Sequence, residues 1–206
     1  MKVSAFKEDK EFLDRQRTDL EFLLDQPTDK QLRPCPGCTV PCPCSKSPTC
    51  SCGCSPSCES CAKHMSSEPD RYPIEPRIIP LVYALHASRV CPPCWSCEGH
   101  LTADGSTLAK FPRVWFYSGS VLYPRFVAEH IDDLTFRKKL KNMWTVRVLS
   151  WGTGPWSRFS IEPISDSAAP TDLRRLQYEA DIIAEGLNVA LRQKATDYLR
   201  KFLRAS

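Results

Sequence analysis

Apolar residues recur at helical spacing near both ends of the chain and at strand-like density in its second half, with a stretch of almost none between. Phe6, Phe12, Leu13, Leu20, Phe22, Leu23 and Leu24, set among charges, predict an amphipathic helix over residues 6–25, which Pro27 and Thr28 end. Residues 78–88 predict a short helix that Pro80 enters in its first turn. Residues 111–117 are apolar on both faces, Val114 and Phe116 one way and Trp115 and Tyr117 the other, which predicts a central strand. A helix follows over residues 122–141, through Leu122, Phe126, Val127, His130, Ile131, Leu134 and Leu140. Residues 144–150 form a second strand, and Gly152-Thr153-Gly154-Pro155 turns the chain into a third over residues 158–163. Strand, helix, strand predicts a parallel pair with a right-handed connection, followed by an antiparallel hairpin.

After Pro170 and Thr171 a single long helix is expected, because Leu173, Leu176, Ala180, Ile183, Leu187 and Ala190 step by three and four and Leu191, Ala195, Tyr198 and Phe202 continue the row. Gly186 in its middle favours packing on the sheet over a coiled-coil seam. The fold class is therefore α+β, a small mixed three-stranded sheet flanked by helices. The division along the chain is an N-terminal helix in 1–33, a Cys/Pro-rich segment and linker in 34–76, and the α+β domain with its C-terminal helix in 77–206.

Composition changes the picture in the middle of the chain. Twelve of the eighteen prolines fall between Pro34 and Pro93, and all twelve cysteines between Cys35 and Cys97, so regular helix or central strand is excluded over most of that stretch. Nine of the 27 residues in 35–61 are cysteine, and nearly all the others are Pro, Ser, Gly or Thr. No hydrophobic core can be assembled from them, so an irregular loop is expected there. No apolar run approaches the about 18 residues needed to cross a bilayer. Residues 1–17 carry Lys7, Glu8, Asp9, Lys10, Glu11 and Asp14 where a signal peptide would be apolar, so a cytoplasmic location is expected. In a reducing compartment, closely spaced thiols are metal ligands more often than disulfides. The net charge of +4 is too small to demand a polyanionic partner.

Two thiol constellations stand out. The first holds Cys35, Cys38, Cys42, Cys44, Cys50, Cys52, Cys54, Cys58 and Cys61. Thiolates one or two residues apart close on a soft ion with little loss of chain entropy. The second is Cys91-Pro92-Pro93-Cys94-Trp95-Ser96-Cys97-Glu98-Gly99-His100, where Cys91, Cys94, Cys97 and His100 offer a Cys3His set for tetrahedral zinc. Four ligands within ten residues is tight, and Cys58-Glu59-Ser60-Cys61-Ala62-Lys63-His64 repeats the same grammar, so His64 joins the candidates as part of a second hook. Zinc is the expected ion, since thiolates suit zinc and Cu(I) and iron-sulfur centres use fewer, wider-spaced cysteines.

The Cys-x-Cys repetition of residues 35–61 locally resembles metallothionein, which implies thiolates bridging a small metal cluster. The runs Ile79-Pro80-Leu81-Val82-Tyr83-Ala84-Leu85-His86, Trp95-Ser96-Cys97-Glu98-Gly99-His100 and Pro112-Arg113-Val114-Trp115-Phe116-Tyr117 resemble a group of uncharacterised bacterial proteins with a Ser-Cys-Glu-Gly-His motif. That resemblance spans residues 75–165 and implies a small α+β domain whose defining residues are Cys97, Glu98 and His100.

The leading expectation is a zinc-binding protein with a thiolate-rich segment that sequesters or buffers metal. A small-molecule or RNA-modifying enzyme would instead use Cys97 as nucleophile, with His100 and Glu98 as acid or base. An interaction module would use the terminal helix for a partner or a second copy, with the cysteines regulatory. Metal ions are the expected partners, with no membrane. Nucleic acid is not expected, because the basic end Arg137-Lys138-Lys139-Leu140-Lys141 matches a helix macrodipole and tryptophans in strands are usually core.

Overall fold

A computed structural model of the protein describes residues 10–26, 66–68, 70–150, 155–164 and 172–205. The α+β class is observed: among the described residues, five α-helices pack with a four-stranded sheet and a separate two-stranded one. Helix α1 is Lys10–Asp25, with Leu20 and Leu23 buried and Phe12 and Phe22 exposed, a narrower apolar face than the sequence pattern suggests. A single 3-10 turn, Pro76–Ile78, leads into α2, Ile79–Ala87. Ile79, Leu81, Val82, Tyr83, Ala84 and Leu85 are all buried, so α2 is enclosed on nearly every side. Its end is held by Ser88, whose hydroxyl donates to the Leu85 carbonyl and accepts from the Cys91 N–H at 3.1 Å.

The chain then runs as β1 (Pro93–Cys97), β2 (His100–Leu101), β3 (Leu108–Lys110) and β4 (Arg113–Ser118). Helix α3 is Leu122–Phe136, followed by β5 (Trp144–Ser150) and β6 (Ser157–Pro163). Helix α3 stops earlier than the apolar spacing suggests because Lys138 takes a left-handed conformation, φ 57°, just past its end. The main sheet has the order β1-β4-β6-β5, and every neighbouring pair is antiparallel. β4 and β5 do run in the same direction, as a helical crossover implies, yet they are not partners. β6 folds back from β5 and inserts between them, with Phe159 opposite Phe116 and Ile161 opposite Val114. Antiparallel bonds on both sides of β6 thus replace the expected mixed sheet, and Phe159 and Ile161 bury their side chains under the helices.

The fourth strand, β1, lies in the stretch read as a metal-binding turn. Its edge position tolerates Pro93, and the Trp95 ring lies 4.5 Å from that of Trp115 in the registered pair Trp95↔Trp115. The C-terminal pattern forms two helices, α4 (Leu173–Ala184) and α5 (Leu187–Ala205), divided at Gly186, whose φ of 77° places it in the left-handed region. The row Leu176, Ala180, Ile183, Leu187, Leu191 and Ala195 nevertheless stays continuous and fully buried within the same core as Leu20, Leu81, Phe116, Phe126 and Ile161. None of the helices, among the described residues, is long and apolar enough to cross a membrane.

Candidate metal centre

The site forms where the entry to α2 meets the turn between β1 and β2. Glu75 occupies the cap position of the Pro76–Ile78 turn without capping it, which frees its carboxylate for the opposite loop. Oε2 of Glu75 accepts the Glu98 backbone N–H at 2.6 Å, and Oε1 lies 2.8 Å from Nε2 of His100. In return, Oε2 of Glu98 accepts the Arg77 backbone N–H at 2.8 Å. The two carboxylates thereby tie residues 75–77 to the 97–100 turn, and the Gln177 side chain adds α4 by donating to the Glu98 carbonyl at 3.1 Å.

Gly99 makes the turn possible. Its φ is +85°, and a Cβ there would lie 2.7 Å from Leu173 Cδ1, 2.8 Å from Pro112 Cδ and 2.9 Å from Pro112 N. Torsion and space both exclude a side chain. With Gly99 in place, its N–H donates to Sγ of Cys97 at 3.4 Å, and one donor atom each from Glu75, Cys97 and His100 falls within 4.8 Å of the others.

A tetrahedral zinc with bonds of about 2.0–2.3 Å sets its ligands roughly 3.3–3.8 Å apart, so side-chain rotation of about an ångström would close this group on an ion. Cys97 is 4% exposed, whereas the side chains of Glu75 and His100 keep 34% and 44% exposure. Among the described residues, three donors converge and their group keeps a solvent-facing side, where a further ligand could enter. Burial pushes the Cys97 thiol up, the Gly99 N–H opposes this, the Glu75 charge adds to it, and Lys110 and Arg113 draw it down. Burial likewise raises Glu98, against the pull of the Arg77 N–H. A cation at the centre would offset this crowding of acidic groups and displace the thiol proton. The arrangement is compatible with metal binding.

The residues predicted from sequence separate here. Cys97 and His100 come together, and Cys91 and Cys94 lie outside their group. Cys91 is fully buried in the core, where burial pushes its thiol up to about 12. Cys94 is exposed at the bulge of β1 between Pro93 and Trp95. An extended strand advances about 3.3 Å per residue, so β1 carries Cys94 and Cys97 roughly 10 Å apart along its axis instead of folding them into a knuckle. Cys35, Cys38, Cys42, Cys44, Cys50, Cys52, Cys54, Cys58, Cys61 and His64 lie outside the described residues. Sequence reasoning missed Glu75, which stands 23 positions before Glu98. Its one signal was a carboxylate placed directly before Pro76, at a cap it does not use. No family model, curated protein or solved structure matches the chain.

Proposed function

We propose that the protein binds zinc through Glu75, Cys97 and His100, with the fourth position open, and that the thiols of residues 35–61 take up further thiophilic ions. The convergence of three donors, Cys97 and His100 from one turn and Glu75 from a distant part of the chain, within 4.8 Å carries this reading. The donor set is one sulfur, one imidazole nitrogen and one carboxylate oxygen. That mixture suits a borderline ion such as zinc, whereas calcium and magnesium take oxygen alone and Cu(I) takes sulfur. Since the thiol must lose its proton to bind, affinity falls as pH falls.

The experiment is metal analysis of protein purified under reducing conditions, followed by cobalt substitution. The wild type should hold at least one equivalent of zinc. A variant with the nine cysteines of residues 35–61 replaced by serine should hold less metal but, with cobalt, still show a thiolate-to-metal charge-transfer band, which Cys97→Ser added to that variant removes. Less than one equivalent of zinc in the wild type, or a band in the serine variant untouched by Cys97→Ser, overturns the reading.

One observation favours a second reading. Glu75 holds His100 at 2.8 Å beside a thiol, the order of orienting carboxylate, base and nucleophile in cysteine catalysis. In that case Glu75 supplies an orienting carboxylate that the sequence did not reveal, and Glu98, expected as acid or base, accepts the Arg77 N–H instead. The raised, nearly inaccessible Cys97 thiol weighs against it, because the thiolate is the reactive form. Alkylation of Cys97 in metal-free protein at neutral pH, at a rate well above that of a free thiol, would favour the enzyme.

A further inference from the structure

We propose that the outward face of the four-stranded sheet binds single-stranded nucleic acid. Val114, Phe116 and Ser118 are buried, so by strand alternation Arg113, Trp115 and Tyr117 project to the other side. The register puts Trp95 of β1 beside Trp115 and Arg158 of β6 beside Tyr117 on that same side. On this side Trp95 is 44% exposed and Tyr117 38%, and Trp115 is half-buried between them, whereas Trp144 is in the core as expected. Trp95 and Trp115 lie against each other as one aromatic platform, and the Arg158 guanidinium sits 5.8 Å above the Tyr117 ring. Positions 115 and 117, two apart on one strand, are separated by about 6.8 Å, a step over which successive bases of an extended strand can each meet a ring.

The charge on this face identifies the occupant. A carboxylate on it, Glu162, is already engaged by Arg147 at 2.7 Å and by the Ser160 hydroxyl at 2.8 Å. Arg113 and Arg158 have no salt bridge among the described residues. A flexible ligand that offers flat rings together with a run of anionic oxygens answers rings and guanidiniums at once, and that ligand is a nucleic acid strand. An acidic peptide would match the guanidiniums alone. The inference uses none of the three metal donors; Arg113 also bears on Cys97, so the test rests on Trp95 and Arg158, which do not.

The test is fluorescence anisotropy of labelled oligo-uridine and oligo-deoxythymidine, about 12 nucleotides long, titrated with the full chain at several salt concentrations. Binding to either, weakening as salt rises, is expected, and the preference between them tells an RNA from a DNA partner. Trp95→Ala should weaken binding at least about fivefold, while Trp115→Phe should largely retain it. Arg158→Ala should lower the slope of log affinity against log salt by about 0.7. The edge position of Trp95 keeps that variant folded, which circular dichroism checks. The proposal is overturned by no binding at low salt. It is also overturned if Lys138→Ala with Lys139→Ala abolishes binding while Trp95→Ala and Arg158→Ala do not. Protection from acrylamide quenching of the fluorescence lost on Trp95→Ala would overturn it too, since the chain itself would then cover the face; Trp144, in the core, is protected in any case.

Discussion

Replacing Gly99 with alanine separates the geometry of the proposed centre from general stability. The new Cβ meets two obstacles. A left-handed torsion costs an L residue about 1–2 kcal/mol. The methyl would also sit 2.8 Å and 2.9 Å from Pro112 Cδ and N. These are ring and backbone atoms that cannot swing aside as the Leu173 side chain can, so a further 1–3 kcal/mol, roughly, follows from overpacking. The cheapest relief is rotation of the 97–100 turn, which withdraws the Gly99 N–H from Cys97 and moves His100 away from Glu75. Metal affinity should then fall by at least about 30-fold, the equivalent of about 2 kcal/mol. Gly105 is the control. Its φ of +71° is similar, but nothing lies within 4 Å of its Cβ position. Gly105→Ala should cost only the torsional part and leave metal affinity unchanged. Zinc competition against a chromogenic chelator, with urea denaturation of both variants, makes the comparison. Equal effects of the two substitutions on affinity would refute the packing argument.

Three further outcomes are expected. Glu179 is fully buried and its carboxylate accepts from the Lys141 and Asn142 N–H groups, the Asn142 amide, the Trp144 indole and Arg175. Glu179→Ala strands all of these donors and should cost about 3–5 kcal/mol in urea unfolding, with a loss below about 1 kcal/mol contradicting the role given to it. Burial pushes Asp181 up to about 7 against the pull of Arg77, so between about pH 4 and 7 the folded protein keeps a proton that the unfolded chain has released. Wild-type stability should therefore fall as pH rises through that window and level off above it. Asp181→Asn should remove that fall, and identical pH profiles for the two proteins would count against it. Cys91→Ser places a hydroxyl in the core and should destabilise by about 1–3 kcal/mol with metal content unchanged; loss of an equivalent of zinc by this variant would restore Cys91 as a ligand.

Much of the architecture was legible because it rests on local periodicity. Strand β5, helix α2 and the buried row from Leu176 to Ala195 follow directly from residue spacing. Strand neighbours were not, because β6 takes its place between β4 and β5 through contacts such as Phe159 with Phe116, whose rings lie 5.7 Å apart and which no local pattern encodes. The same limit applies at the site. Cys97 and His100 are close in sequence and were found as a pair, whereas Glu75 reaches them only after the chain has folded. Thiol density drew attention to Cys91 and Cys94, but β1 is set by pairing with β4, and pairing decides where each sulfur points. Alternation marked Trp115 and Tyr117 as a second apolar face without revealing that the helices cover only the first.

The guanidinium of Arg192 donates to the carbonyls of Leu23, Leu24 and Gln26, at 3.2, 2.6 and 3.0 Å. It clamps the chain where α1 ends, as Glu75 and Glu98 clamp it where the domain resumes. A polypeptide gripped at exit and re-entry can gain or lose length in between at little expense, because the entropy of closing a connection grows only with the logarithm of its span. If the thiols of residues 35–61 take up metal as proposed, duplication or deletion of their codons would alter ionic capacity without touching either clamp, so capacity and architecture could evolve on separate schedules.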